Sequence, residues 1–318
     1  MLVQILILLA GLALVVFGAD YLVDGSSDIA RRAGLSEFVI GLTIVGIGTS
    51  MPELVVSFLG AIQGNADVSI GNVVGSNIFN VLLILGLTAL IRPVEISRTN
   101  RYKDIPLNLA VTLLLVLVGF KKTLFGLGPS DEISRIEGIV FLVIFIAYLV
   151  YSFKSDKPDE EETAAPVHSL SLSLLMVVGG LVALIFGGRL FVNGATAVAR
   201  LAGLSDAFIA ITILAGGTSM PELATCIVAA LKKRGQMALG NIIGSNISNI
   251  LLILGGSAVI HPLSFSGVGL VDIGVLLLSA LLVCVGAYIG KHRHLGRKSG
   301  TLMLLCEAAY FTYLILHL

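Results

Sequence analysis

Two short segments hold the residues whose types and spacing could do chemistry. The run G-T-S-M-P-E at 48–53 recurs at 217–222, so Thr49, Ser50 and Glu53 are repeated as Thr218, Ser219 and Glu222. On a continuous helix residues three and four apart share a face, which would bring each hydroxyl pair to its carboxylate. Pro52 and Pro221 have no N–H to donate, so the carbonyls of Gly48 and Gly217 are expected to lose their helical partners. A second motif, G-N-x-x-G-S-N, covers 71–77 and 240–246 and sets Ser76 four residues before Asn80, and Ser245 four before Asn249. Asn77 and Asn246 lie near the same face and either join this set or bond between helices. Carboxylates, hydroxyls, amide oxygens and freed carbonyls form a hard, all-oxygen environment. That suits calcium, which takes about six to eight oxygens in flexible geometry, better than magnesium, which holds its water firmly. A softer metal does not fit, because His168, His261, His292, His294 and His317 fall near loops or span ends and no cysteine joins either motif.

The elements that must position these oxygens are membrane helices. The 318 residues are 56% hydrophobic and 13% charged, with a mean hydropathy of +1.01, whereas a soluble domain carries about 25% charge. Lys+Arg and Asp+Glu are 20 each, so no charge excess suggests a nucleic-acid partner. A helix needs roughly 20 apolar residues to cross the hydrocarbon. Ten segments are expected to cross, at about 2–23, 37–62, 68–91, 105–120, 134–153, 170–193, 206–231, 236–260, 268–290 and 300–317. The first is read as a retained span, since it lacks the basic start and cleavage site of a signal peptide. Cys226, Cys284 and Cys306 sit in apolar runs and read as small buried hydrophobes. No nucleophile–base pair, phosphate loop or hydrolase motif is present, so the reading is of a protein that is not an enzyme and needs no cofactor.

Glu53 and Glu222 fall deep in spans two and seven, where a charge costs at least about 2.5 kcal/mol on insertion scales. No Lys or Arg lies in the motif segments 34–54, 71–86, 203–223 and 240–255 to pair with them. A cation from outside is the expected partner. Glu307 in the last span is assigned to contact with a neighbouring helix, and the acidic run Asp159–Glu162 to a solvated linker.

The two motif pairs belong to one long repeat. Segments 34–93 and 203–262 align without a gap at an offset of 169, with 29 of 60 positions identical. Each half contributes five spans. An odd number makes the second half cross in the opposite sense, giving an all-α polytopic protein of two inverted five-helix repeats, 1–153 and 170–318, joined by a linker at 154–169. With the N-terminus outside, 15 basic residues fall in cytoplasmic loops and only four, Lys121, Lys122, Arg135 and Arg200, on the other side. The bias of basic residues toward the cytoplasm therefore puts both termini outside. Inverted halves favour alternating access over a channel, the competing reading for a ring of carboxylates and carbonyls.

These twin motifs resemble the alpha-repeats of the sodium/calcium exchangers in the cation/calcium antiporter superfamily, in particular its short ten-helix prokaryotic members. The likeness covers nearly the whole chain in layout. It implies exchange of calcium for sodium across a prokaryotic inner membrane, with Glu53 and Glu222 as the central ligands of both ions. It further implies backbone carbonyls from Thr49 and Thr218, hydroxyls from Ser50 and Ser219, and surrounding ligands at Ser76, Ser245, Asn80 and Asn249. Gly46 and Ala215 stand where the family uses carbonyls for outer sodium sites. The chain departs from some members in carrying Asn249 where they carry an acid. Two carboxylates would be balanced by one calcium ion, while three sodium ions would leave the site at plus one. The nearest rivals are calcium/proton and potassium-dependent exchange; the proton-coupled branch usually has G-N-x-x-E where this chain has G-T-S-M-P-E.

Overall fold

A computed structural model describes residues 2–155, 166–203, 216–265, 267–289 and 294–317. The linker run Asp159–Glu162, His292, the carbonyl of Ala215 and the first part of the seventh expected span lie outside the described residues.

The first half begins with α1 (Leu2–Ala33), followed by α2 (Glu37–Thr49), α3 (Met51–Ile62), α4 (Ala66–Ile91), α5 (Asn100–Gly119), a short α6 (Lys121–Phe125) and α7 (Arg135–Ser155). The second half repeats the order with α8 (Leu170–Leu201), α9 (Met220–Leu231), α10 (Gly235–Ile260), α11 (Leu270–Ile289) and α12 (Arg297–Leu316). Among the described residues eight helices are long and apolar enough to cross a membrane, and the bent pair α2–α3 makes a ninth. Adding α9, the described end of the seventh expected span, gives a layout compatible with ten.

Three spans run past their expected boundaries by five residues or more. The first span continues ten residues beyond Val23, to Ala33, and α8 is also 32 residues long. At 1.5 Å per residue each reaches about 48 Å, well beyond the ~30 Å hydrocarbon, so its end stands in the aqueous layer. That explains the acids on α1. Asp20 and Asp24 lie 2.6 and 2.8 Å from Lys232, and Asp28 lies 2.7 Å from His168. The fourth span starts earlier, with a wide turn over Asn100–Asp104, because Arg101 and Lys103 remain helical at the interface.

Close contact between the repeats comes from small residues. Gly11, Gly18 and Gly25 of α1 recur as Gly180, Gly187 and Gly194 of α8, each pair 169 apart. A Cβ at Gly18 would lie 2.9 Å from the carbonyl oxygen of Gly180, and one at Gly25 would lie 2.7 Å from that of Ser173. Backbone therefore packs on backbone, as small-residue seams allow in membranes. Gly11 meets Phe191 and Gly187, while Gly25 meets Ser173. The contacts advance on one helix as they retreat on the other, so these equivalent helices run antiparallel, as inverted repeats require.

Two β-ribbons tie the halves at their ends. β1 (Val94–Glu95) pairs antiparallel with β4 (His294–Leu295), and β2 (Glu132–Ile133) with β3 (Leu263–Ser264). The buried core runs between them, and α10 is its most enclosed member, 83% buried over its apolar window. Its Gly240 and Gly244 face the backbone of Phe38 and Leu42 too closely for any side chain.

Candidate functional site

The bent pair creates the site. Helix α2 stops at Thr49, Ser50 takes φ −79° and ψ 9°, and α3 leaves at 49° to it. Ser219 has almost the same conformation, φ −87° and ψ 10°, before α9. Pro52 and Pro221 occupy the first turn of the new helices, where a missing N–H costs nothing. The break thus lies just before each proline, and Glu53 and Glu222 stand in the first turns of α3 and α9, at the positive ends of their dipoles.

This geometry changes one expectation. Because the helix is broken at Ser50, its hydroxyl does not serve the glutamate on its own segment. Ser50 Oγ donates to Glu222 Oε1 at 3.0 Å, and Ser219 Oγ donates to Glu53 Oε1 at 3.1 Å. Each repeat completes the other. Both carboxylates are 1% exposed, and neither has a basic partner among the described residues.

The next helices supply the walls. Ser76 Oγ lies 3.4 Å from Glu53 Oε1. Its counterpart Ser245 donates instead to the Gly46 carbonyl at 3.2 Å and to Asn241 Oδ1 at 3.4 Å. Thr49 Oγ1 donates to the same two acceptors, at 3.4 and 3.2 Å, and Thr218 stands half-buried in the turn before α9. The Gly46 carbonyl, an expected outer sodium ligand, thus already holds protein donors.

Asn80 and Asn249 open widened, π-helical turns, Asn80–Leu85 and Asn249–Leu254. Such turns displace a side chain from the ordinary helical face and are frequent at functional positions. Asn77 and Asn246 prove to be the bonds between helices. Asn77 Nδ2 donates to the Asn246 carbonyl at 3.2 Å, and Asn246 Nδ2 to the Asn77 carbonyl at 3.5 Å. Their side-chain oxygens accept from the neighbours: Asn80 Nδ2 reaches Asn246 Oδ1 at 3.1 Å, and Asn249 Nδ2 reaches Asn77 Oδ1 at 2.9 Å. These bonds fix the amides of Asn80 and Asn249 by one N–H each and leave both side-chain oxygens without a donor.

Among the described residues, the buried oxygens without a hydrogen-bond partner include Glu53 Oε2, Glu222 Oε2, Asn80 Oδ1 and Asn249 Oδ1, beside Glu307 Oε2, Asn108 Oδ1 and the hydroxyls of Ser26, Ser152, Thr196 and Ser257. The first four are acceptors, and they form two pairs related by the repeat. An unsatisfied buried acceptor costs of order 1–3 kcal/mol, and more when charged. A hard cation among them would remove that cost.

Sequence spacing singled out neither Asn72 nor Asn241, although both lie inside the second motif. Asn72 Nδ2 donates to the Glu53 carbonyl at 3.1 Å and to Ser57 Oγ at 2.9 Å. Asn241 copies the second bond on Cys226, with Nδ2 3.3 Å from the sulfur. Their second position in G-N-x-x-G-S-N was the available signal.

Residues 3–154 and 172–317 match the family described as sodium/calcium exchanger protein. The chain belongs to the sodium/calcium exchanger family. It is 33% identical to the sodium/calcium exchanger MaX1 of Methanosarcina acetivorans and 37% identical to the putative antiporter CaxA of Alkalimonas amylolytica, covering 98% of both partners in each comparison. Its fold matches a solved structure of the sodium-calcium exchanger NCX_Mj with a TM-score of 0.84 at 34% identity, over 98% of each chain. An all-helical membrane exchanger is therefore the class to which this chain belongs, and its chemistry is ion transport across the bilayer.

Proposed function

We propose that Glu53 and Glu222, with the bare oxygens of Asn80 and Asn249, form one site through which this exchanger passes calcium in one direction and sodium in the other. The observation that carries the reading is that the two buried carboxylates and their repeat-related neighbours Asn80 and Asn249 each keep a buried acceptor without a donor. Two carboxylates balance one calcium ion, so a bound divalent cation leaves the membrane interior neutral. Sodium, equally hard, takes the same oxygens, and the ions therefore compete. Ser50, Ser219 and Ser76 hold the carboxylates in place, while Thr49, Thr218 and Ser245 shape the surrounding wall.

Units 1–153 and 170–318, joined by the linker 154–169, enclose this site from opposite sides. Neither unit holds a complete site, since each serine bond crosses to the other half. Movement of one unit against the other opens the site to alternate faces. The basic loops lie in the cytoplasm and both termini outside, in the inner membrane of a prokaryotic cell.

Calcium titration of the purified protein tests the site. Wild type binds with one calcium per chain, and Glu53→Gln or Glu222→Gln weakens binding by at least about a hundredfold, since each removes one of two charges in a dry site. Unchanged calcium affinity in either variant would overturn the assignment.

A further inference from the structure

Between α11 and α12 runs a furrow of about 890 Å³, with an apolar wall that includes Leu282, Val285 and Ile289 from one helix and Leu302 and Met303 from the other. Val285, Ile289 and Leu302 are exposed on the outside of the bundle. In a bilayer this furrow opens onto acyl chains. Its other end is polar, formed by His294, Arg297, Lys298 and Ser299, and no carboxylate lines it among the described residues. Arg297 Nε donates only to a neutral acceptor, the Leu90 carbonyl at 3.2 Å, and Lys298 has no ion pair among the described residues. The buried Nδ1 of His294 has no hydrogen-bond partner there either.

The repeat shows what is missing at this end. Strand β2 leads into α7 as β4 leads into α12, and their partners β3 and β1 are related by the offset of 169. Ser134 and Glu137 of the first half therefore correspond to Gly296 and Ser299 of the second. In the first half Ser134 and Glu137 form a capping box, with Ser134 N donating to Glu137 Oε2 at 2.8 Å and Glu137 N to Ser134 Oγ at 3.4 Å. A carboxylate thus occupies the positive end of α7. Helix α12 has neither group: its cap is Gly296, no side chain caps it, and Arg297 and Lys298 follow at once. Two cations against the positive end of a helix repel it, a placement that an anion would reverse.

We propose that this furrow binds an anionic phospholipid. The phosphate takes the open N–H groups of α12 beside Arg297 and Lys298, and an acyl chain lies along Leu282, Val285 and Leu302. The occupant is a lipid and not a free phosphate because the apolar wall continues from the cationic end onto the bilayer-facing surface. This end also belongs to the face that carries the excess of basic residues, where anionic head groups are drawn.

The test supplies the missing anion from within. Gly296 has φ −88° and ψ 177°, and nothing lies within 4 Å of a Cβ placed there, so Gly296→Ser with Ser299→Glu can rebuild the capping box of the first half. Wild type, this double variant and Lys298→Gln are placed in nanodiscs of phosphatidylcholine and phosphatidylglycerol, and the lipid retained on extraction is measured by mass spectrometry. Wild type retains phosphatidylglycerol over phosphatidylcholine, the double variant loses about tenfold of that preference, and Lys298→Gln loses part of it. The melting temperature of the double variant in phosphatidylcholine stays at or above that of wild type, which shows that it folds. Equal preference in all three proteins would overturn the proposal. So would stabilisation of the detergent-solubilised wild type by glycerol phosphate to the extent given by phosphatidylglycerol, since the occupant would then be a soluble anion.

Discussion

Ser50 donates its hydroxyl to Glu222, 172 residues away in sequence and 3.0 Å away in space. Ser219 returns the bond to Glu53 at 3.1 Å. The consequence is mutual dependence: each carboxylate takes a hydroxyl from the opposite repeat, so loss of either hydroxyl disturbs a carboxylate in the other half.

Ser50→Ala and Ser219→Ala should therefore have similar effects. A hydrogen bond to a charged group is worth roughly 1.5–3 kcal/mol, so each variant is expected to weaken calcium binding by about tenfold or more. Calorimetric titration of both variants checks this, and a large loss in one with none in the other would contradict reciprocal support.

The paired asparagines predict a different result. Asn77→Ala removes the acceptor of Asn249 Nδ2 and a bond to the Asn246 carbonyl. The amide of Asn249 is then free to turn its N–H groups toward the site, which a cation repels. Calcium affinity should fall and the melting temperature should drop, by an amount equivalent to about 1–3 kcal/mol. A variant as stable and as tight-binding as wild type would show that the clasp does not orient the site.

Close packing of α1 and α8 makes a third prediction. A Cβ at Gly180 would lie 2.7 Å from the Gly18 carbonyl oxygen and 2.8 Å from Leu22 N. Gly180→Val must separate the two helices, with a cost of about 1–3 kcal/mol for overpacking. Thermal melting in detergent should show it, while Gly179→Ala, with nothing within 4 Å, leaves the melting temperature unchanged.

The layout of this exchanger was legible in the sequence because its strongest signals are simple ones. Apolar length marks spans, and the exact recurrence of Glu53 as Glu222 and of Asn80 as Asn249 marks the repeat. Of the expected site residues, Ser50, Ser219 and Ser76 bond to the two buried carboxylates, while Ser245, Asn80 and Asn249 bond to other groups of the neighbouring helices. What spacing could not reveal is the partner of each bond. The same-face relation of Ser50 and Glu53 assumes an unbroken helix, and the break at Ser50 sends the hydroxyl to Glu222 instead. Ser76 and Ser245 look equivalent in sequence, yet one approaches Glu53 and the other donates to Gly46. The π-turns at Asn80 and Asn249 likewise have no sequence signature of their own, and both begin at residues that bond across α4 and α10.

The proposed place of Asn249 in the ion site makes its lack of charge testable. Asn249→Asp would add a third carboxylate beside Glu53 and Glu222 and favour additional monovalent cations. Sodium should then inhibit calcium uptake at a concentration several-fold lower than in wild type. Inhibition at the same or a higher concentration would show that negative charge does not limit sodium binding.

The central claim is that calcium and sodium use one site in turn, and counter-transport in sealed vesicles tests it most directly. Calcium uptake is measured with an outward gradient of sodium, of potassium or of protons imposed separately, on wild type and on Glu53→Gln. Uptake is expected with the sodium gradient alone and is expected to vanish in Glu53→Gln. Calcium moving in the same direction as sodium, or uptake indifferent to every imposed gradient, would contradict a single site shared by alternation.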